Sequence, residues 1–509
     1  MMAMQRLPLA TFGTSIIRMF SSANVVDEMI AYARTNYNVG LVELFQNDHT
    51  VSNVLKFISL PFMQNNFEQA MDILKSGLGF QQTGVNAGRL HLAQAEILAD
   101  RSHWIEVSQL CRQAAAAASE TQPSSPTEAL IMAEVELSAA LIGTRASLTQ
   151  HKDAEAFQMA QQCLEVARKS FTATGAEDQR WQGIVLSHAI AALAQHAACD
   201  FETAAESFDE VMSIADHTDQ RGSPNKPNRD YLIADALKQV AAFRLCQNRP
   251  TEAAMLASRA VEAAKKAAES AKSSTKRNNN DEKENEGSIS TDPMLPPTLC
   301  AETVIDCQVL LAQSAMDTKD WETAENRLSE ALSGAEEVSS ASTTASSVGG
   351  KPHPRIAIVL LLLAHVYSRT GKVTLAEGLY REIVKILDLN PATESSSSLG
   401  GVGGVSSLPI LQLQGFGPVH PSVSSLAAWR YAQLLTALPR RDTEAAGWHR
   451  LAKELYDDAP LRRVLEPASV FGTLDHLQGK GDGGCGIVLD LMTRRALPRA
   501  PTDTTVGGA

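Results

Sequence analysis

The chain is poor in the residues that build sheets and in those that build reactive sites. Aromatic side chains make up 5 % of its 509 residues, whereas alanine is abundant. Sheets favour β-branched and aromatic residues, and closely packed helices favour alanine. The seven cysteines (Cys111, Cys163, Cys199, Cys246, Cys300, Cys307, Cys485) include no C-x-x-C pair, so the common zinc and thiol–disulfide frameworks are missing. Most stand among alanines and leucines, where a reduced thiol packs as a small apolar group. Cys300 and Cys307 are two helical turns apart, and seven residues rise about 10 Å, too far for a disulfide. There is no H-E-x-x-H and no G-x-S-x-G, and Gly479 to Gly484 lacks the spacing and the hydroxyl residue of a phosphate loop. His188 and His196 share a helical face without a third ligand nearby, which reads as structural histidine rather than metal. No catalytic residue, metal or cofactor is expected.

Long apolar runs are also absent. The longest, Ile356 to Ala364, has nine residues, against about 20 for a membrane-spanning helix. It reads as a helix buried on several sides. Basic residues are in deficit, 45 against 58 acidic ones, for a net charge of −13. Phosphate-backbone binding needs a basic surface, so nucleic acid is not expected as the main partner.

What is present is a pattern of small and aromatic residues at helical intervals. Ala364, Tyr367, Gly371, Ala376, Tyr380 and Ile383 are followed by Asn390-Pro391. Ala364 and Ala376 let two helices approach, Tyr367 and Tyr380 fill the space between pairs, and Gly371 suits a tight turn with positive φ. A second recurring phrase is polar, aromatic, acid, any residue, alanine: Asn66-Phe67-Glu68, Asp200-Phe201-Glu202 with Ala204, and Asp320-Trp321-Glu322 with Ala324. There the polar residue caps a helix, the acid favours its positive end and the aromatic staples it to its neighbour. Phe208 continues the apolar stripe after Ala204.

These features resemble the tetratricopeptide repeat, a helix–turn–helix unit of about 34 residues. The resemblance covers roughly residues 50–460. It implies an all-α, right-handed solenoid of stacked antiparallel helix pairs, a fold whose units bury their apolar faces against one another. The period departs from the family, since Ala204 and Ala253 are 49 residues apart. His353-Pro354 is similar to the opening of the longer kinesin-light-chain repeats.

The chain divides into an N-terminal address at 1–20, helical repeats over 21–271, a polar linker at 272–296, further repeats over 297–460 and a weakly ordered tail at 461–509. Flexible loops are expected at 339–353 and 394–407. Residues 1–20 carry Arg6 and Arg18 and no acid, the composition of a mitochondrial transit peptide. Arg18-Met19-Phe20-Ser21 resembles the processing site of plant mitochondrial presequences, which implies a mature start at Ser21 in a matrix protein.

In the tetratricopeptide family the first helix of each pair lines a concave groove. Carried over, the groove here offers Glu96, Asp100, Asp235, Asp306 and Asp317, with Lys238 and Arg369 as the basic exceptions. An acidic lining repels the C-terminal carboxylates that chaperone-binding members hold, and suits a basic or amphipathic protein segment. The alternative for these charges is a solvated helix face. Three functions follow: a non-enzymatic mitochondrial scaffold or assembly factor, an organellar RNA-binding repeat protein of the pentatricopeptide kind, or a cytosolic cargo adaptor like kinesin light chain.

Overall fold

A computed structural model describes residues 56–100, 103–120, 122–123, 125–172, 177–219, 227–281, 297–342, 354–391, 419–457 and 487–499, with parts of 26–33. The address at 1–20 and the loop at 394–407 lie outside them. Fifteen helices and one two-stranded hairpin can be traced along these residues. The helices are α1 Lys56–Phe80, α2 Gly84–Asp100, α3 Trp104–Ser119, α4 Pro126–Thr149, α5 Asp153–Thr172, α6 Glu177–Ala197, α7 Phe201–Asp219 and α8 Pro227–Cys246. They continue as α9 Pro250–Asp281, α10 Pro297–Asp317, α11 Trp321–Ser342, α12 Pro354–Arg369, α13 Val373–Ile386, α14 Pro421–Thr436 and α15 Asp442–Asp457. From α2 onward they pack as seven antiparallel pairs, each pair against the next, to form an α-solenoid.

One turn design joins the two helices of most pairs. Lys152, Asp200, Arg249, Asp320 and Lys372 each donate a backbone N–H to the carbonyl five residues back, on Ser147, Gln195, Arg244, Ala315 and Tyr367, at 2.8–3.0 Å. This is the Schellman closure, which needs a left-handed residue just after the helix. Gly371 supplies it at φ 77°, as its sequence context predicts; His151, Cys199, Asn248 and Lys319 supply it elsewhere at φ 58–65°. Glycine therefore marks only one turn of a series.

Five residues past each left-handed position stands an anchor. Ala156, Ala204, Ala253, Ala324, Ala376 and Ala445 are all buried, and Val107 occupies the same place in α3. Seven residues further, Ala114, Cys163, Val211, Ala260, Ala331, Ile383 and Ala452 are buried too. The first four anchors, Val107, Ala156, Ala204 and Ala253, are spaced by 49, 48 and 49 residues. The extra length over a standard repeat lies in the helices, since α4 to α7 run 24, 20, 21 and 19 residues.

The second helix of a pair buries one stripe, as Ala376, Tyr380, Ile383 and Ile386 show in α13. Tyr380 stacks on Tyr431 of the following pair with ring centroids 5.6 Å apart. Tyr367 is only half-buried and lies under the Lys372 ammonium. First helices are buried almost all round, α12 from Pro354 to Ala364 and α14 from Ser422 to Ala428 without a break.

Three expectations need correction. Asn66-Phe67-Glu68 opens no helix; α1 runs through it, and no Schellman turn interrupts Lys56–Phe80. The polar linker begins later than its composition suggests, because α9 continues to Asp281. Similarly, α11 extends to Ser342, into the segment read as a loop. Alanine, lysine and serine at the end of a long amphipathic helix prolong it without needing a core. The third concerns the tail. Ile487–Asp490 (β1) and Arg495–Pro498 (β2) form an antiparallel hairpin, every residue of which is buried.

Candidate protein-binding face

The hairpin lies against the first helices α6, α8 and α14 and helps to bury the faces they turn towards it. Cross-strand partners share a face of a β ribbon. Val488 and Leu497 are partners, and both enter the core formed by α6 to α10. Leu489 and Ala496, on the other face, enter the C-terminal core with Ile487 and Leu491. Met492, in the turn, packs with α4, α5 and α6. Twelve residues thus touch three separate apolar clusters of the solenoid.

Polar contacts hold the ribbon along its length. The Gln313 side chain accepts from the Leu489 N–H at 2.8 Å and donates to the Leu489 carbonyl at 2.9 Å. An amide side chain thereby serves β1 as a neighbouring strand would. The Ala496 N–H donates to Ser422 Oγ at 3.1 Å, and the His420 N–H donates to the Arg494 carbonyl at 3.1 Å. His196 Nε2 lies 3.1 Å from the Pro498 carbonyl and serves as its donor. Arg495 pairs with Asp153. Arg499 meets both oxygens of Asp317, at 2.8 and 2.7 Å, and Asn248 Oδ1 at 2.6 Å. Nη2 makes both carboxylate contacts and Nη1 the one to Asn248, so charge and direction together fix the guanidinium.

Deeper in, three groups of the expected groove join Arg145 and Gln239 in one buried network. Lys238 Nζ lies 2.8 Å from Asp235 and 3.2 Å from Asp306. Arg145 reaches Asp235 at 3.3 Å, and Gln239 donates to the same carboxylate at 2.9 Å. Arg145 Nη2 and Lys238 Nζ also contact Met492 Sδ, at 2.9 and 3.6 Å. Burial alone would raise the Asp235 carboxyl; Lys238 and Arg145 overcome it and hold the group at about 2. Burial prevails at Asp306, whose carboxyl is raised despite Lys238 and Arg355. At Lys238 burial is outweighed by the two aspartates, which raise the ammonium. At the hairpin tip Arg494 is fully buried, and its own burial and then Arg355 work against its charge.

The expected groove residues are therefore not a solvated row. Asp235, Lys238 and Asp306 are 6 %, 3 % and 4 % exposed. Asp317 stands apart from them and holds the basic tail. Glu96 is half-buried on α2, Asp100 ends that helix and Arg369 ends α12. Sequence reasoning missed Arg145, Asp153, Gln313 and Ser422 because each looks like an ordinary helix residue, and it read His196 as structural without a partner for it. The one available signal was the apolar stretch Ile487 to Met492, broken only by Asp490 and followed by Arg494, Arg495 and Arg499 in an otherwise acidic chain.

No known protein family's profile matches the chain, and no curated protein is similar to it at the sequence level. Solved structures do resemble it. The apo form of the quorum sensor NprR from B. thuringiensis is 10 % identical, over 88 % of this chain and 92 % of that one, with a TM-score of 0.42. PH0952 from Pyrococcus horikoshii, a signal-transduction ATPase with a tetratricopeptide repeat sensor, is 10 % identical over 94 % and 68 %, at 0.30. The anaphase-promoting-complex assembly Cut9–Hcn1 is 13 % identical over 72 % and 67 %, at 0.26. The fold is an α-solenoid of stacked antiparallel helix pairs. Among the described residues no helix is long and apolar enough to cross a membrane, and no cluster of side chains is arranged to hold a metal.

Proposed function

We propose that this chain is a non-enzymatic protein-interaction scaffold, an adaptor or assembly factor, that holds a protein segment against the inner face of its solenoid. The carrying observation is that this face already grips an extended segment. It does so through a backbone-reading amide at Gln313 and the Asp317 carboxylate, which accepts from Arg499. These are means of holding polypeptide rather than of transforming a small molecule. The segment so held is basic, in keeping with the acidic lining read from the first helices.

The proposed place of action is the mitochondrial matrix. Support comes from the acid-free stretch at 1–20 and from Arg18-Met19-Phe20-Ser21. A fluorescent protein carrying residues 1–20 is expected in mitochondria, and the mature chain is expected to start at Ser21. Cytosolic fluorescence would remove the organelle from the proposal and return the cargo-adaptor alternative. Affinity purification of the full chain after ribonuclease treatment tests the scaffold itself. A protein recovered in stoichiometric amount supports it, and a transcript lost on treatment instead points to RNA.

A further inference from the structure

The contacts that seat β2 do not depend on its belonging to this chain. Arg495 and Arg499 lie four positions apart, and each meets an aspartate of a turn or helix end, Asp153 opening α5 and Asp317 closing α10. Both aspartate side chains keep 17 % of their surface exposed, against 9 % and 5 % for Asp235 and Asp306. The arginine sites therefore sit at the rim of the network, where an exchange can begin. Between them Leu497 fills an apolar slot and Pro498 offers only a carbonyl, taken by His196.

Charge is matched across the contact. The hairpin brings Arg494, Arg495, Arg499 and Asp490. The helices around it bring Asp153, Asp235, Glu302, Asp306 and Asp317 against Arg145, Lys238 and Arg355. The excess positive charge of one side equals the excess negative charge of the other. Removing the hairpin leaves the wall with an unmatched acidic surplus, which favours a basic replacement.

We propose that the inner face receives an extended partner segment carrying two arginines four positions apart with apolar residues between them, and that Arg495-Ala496-Leu497-Pro498-Arg499 is a tethered occupant which that segment displaces. The inference rests on the scaffold reading above and adds the partner's chemistry and its competition with the chain's own hairpin. A tethered occupant competes at high effective concentration, so it lowers apparent affinity for the same sequence offered in trans.

The probe is a fluorescent peptide of residues 487–499, titrated into two full-length proteins and read by anisotropy. Wild type is expected to bind weakly. The variant Arg495→Glu/Arg499→Glu, whose own β2 is repelled by Asp153 and Asp317, is expected to bind at least about 10-fold more tightly. A peptide carrying the same two reversals should bind neither protein. A variant that melts like wild type yet binds no peptide overturns the proposal. If the variant does not fold, the second arm is the otherwise unaltered full chain with a protease site inserted between residues 470 and 480. After cutting, the C-terminal piece is expected to exchange with excess labelled peptide. A piece that stays bound without exchange, or a protein that unfolds on cutting, shows a permanent strut and overturns the proposal. In either case a partner recovered by wild type in the purification above leaves the scaffold reading standing.

Discussion

Asp235, Lys238 and Asp306 illustrate how differently a charge behaves once three helices close over it. On an exposed face, replacing an aspartate by asparagine costs little. Here Asp235→Asn leaves the buried Lys238 with half its compensation. A loss of about 3–5 kcal/mol is expected in urea denaturation, the range for breaking a buried pair. The triple variant Asp235→Leu/Lys238→Met/Asp306→Leu should recover most of it, because no unpaired charge remains. If the single and triple variants lose the same amount, packing and not pairing dominates at this site. His196 adds a pH effect. Burial lowers its pKa from 6.5 to about 4, although the bond to Pro498 pulls the other way. The unfolded chain therefore takes up a proton first. Stability is complete above the unfolded value and falls as pH drops from 6.5 towards about 4, by roughly 3 kcal/mol in all. His365 and His420, also lowered by burial, act in the same direction. In His196→Gln, denaturation midpoints compared at neutral pH and near pH 5 should show a shallower dependence than in wild type.

At the scale of elements, much of this molecule was legible and one part was not. Ala204, Ala324 and Ala376 could be picked out because each follows a short polar–aromatic or glycine-bearing turn, and all three are fully buried. Asp320 caps α11 as its position implies, accepting from the Thr323 N–H at 3.1 Å. Pairs led by Val107, Ala156 and Ala253 were harder to place. Cys111, Ala160 and Ala257 stand there where Phe208, Leu328 and Tyr380 stand in the others. Small residues carry less signal than rings. The hairpin was illegible because both faces of its ribbon are buried, so the alternation that reveals a half-exposed strand never appears. The turns give a test with opposite signs. Gly371 has φ 77° and nothing within 4 Å of where a Cβ would stand. Gly371→Ala is therefore expected to lose about 1 kcal/mol through backbone conformation alone. Lys319, exposed at φ 63° in the equivalent turn, should gain a comparable amount on Lys319→Gly, less the entropy that glycine brings. A gain at position 371 or a loss at 319 would contradict the shared turn geometry. Ala376→Arg forces a long cation into a position with no exposed surface, and should lower the melting temperature by many degrees.

Across the whole molecule the hairpin changes the kind of cooperativity a solenoid has. In a plain array each unit meets only its neighbours, and stability is close to a sum along the chain. Here the contacts of twelve residues reach α4 through Arg145, α6 through His196, α8 through Lys238, α10 through Gln313 and α14 through Ser422. Distant pairs thus share one element. Wild type is expected to unfold in urea in a single transition. Val488→Asp/Leu497→Asp, which places charges in the core of α6 to α10, is expected to resolve into two or more. Equal sharpness in both proteins would show that the pairs are coupled without the ribbon. Deleting residues 282–296, beyond the end of α9, should leave the transition unchanged.

The position of this ribbon in the chain has a consequence for biogenesis. A ribosome makes a polypeptide from its N-terminus, so all seven helix pairs emerge before the piece that fills their interior. Until then, the apolar inner surface of α12 and α14 and the carboxylates at 235, 306 and 317 face solvent or whatever protein is at hand. The newborn solenoid is an open receptor, and closure waits until all seven helix pairs have been made. A partner that binds during translation therefore meets no competitor, whereas the same partner offered to finished protein has an occupant to evict.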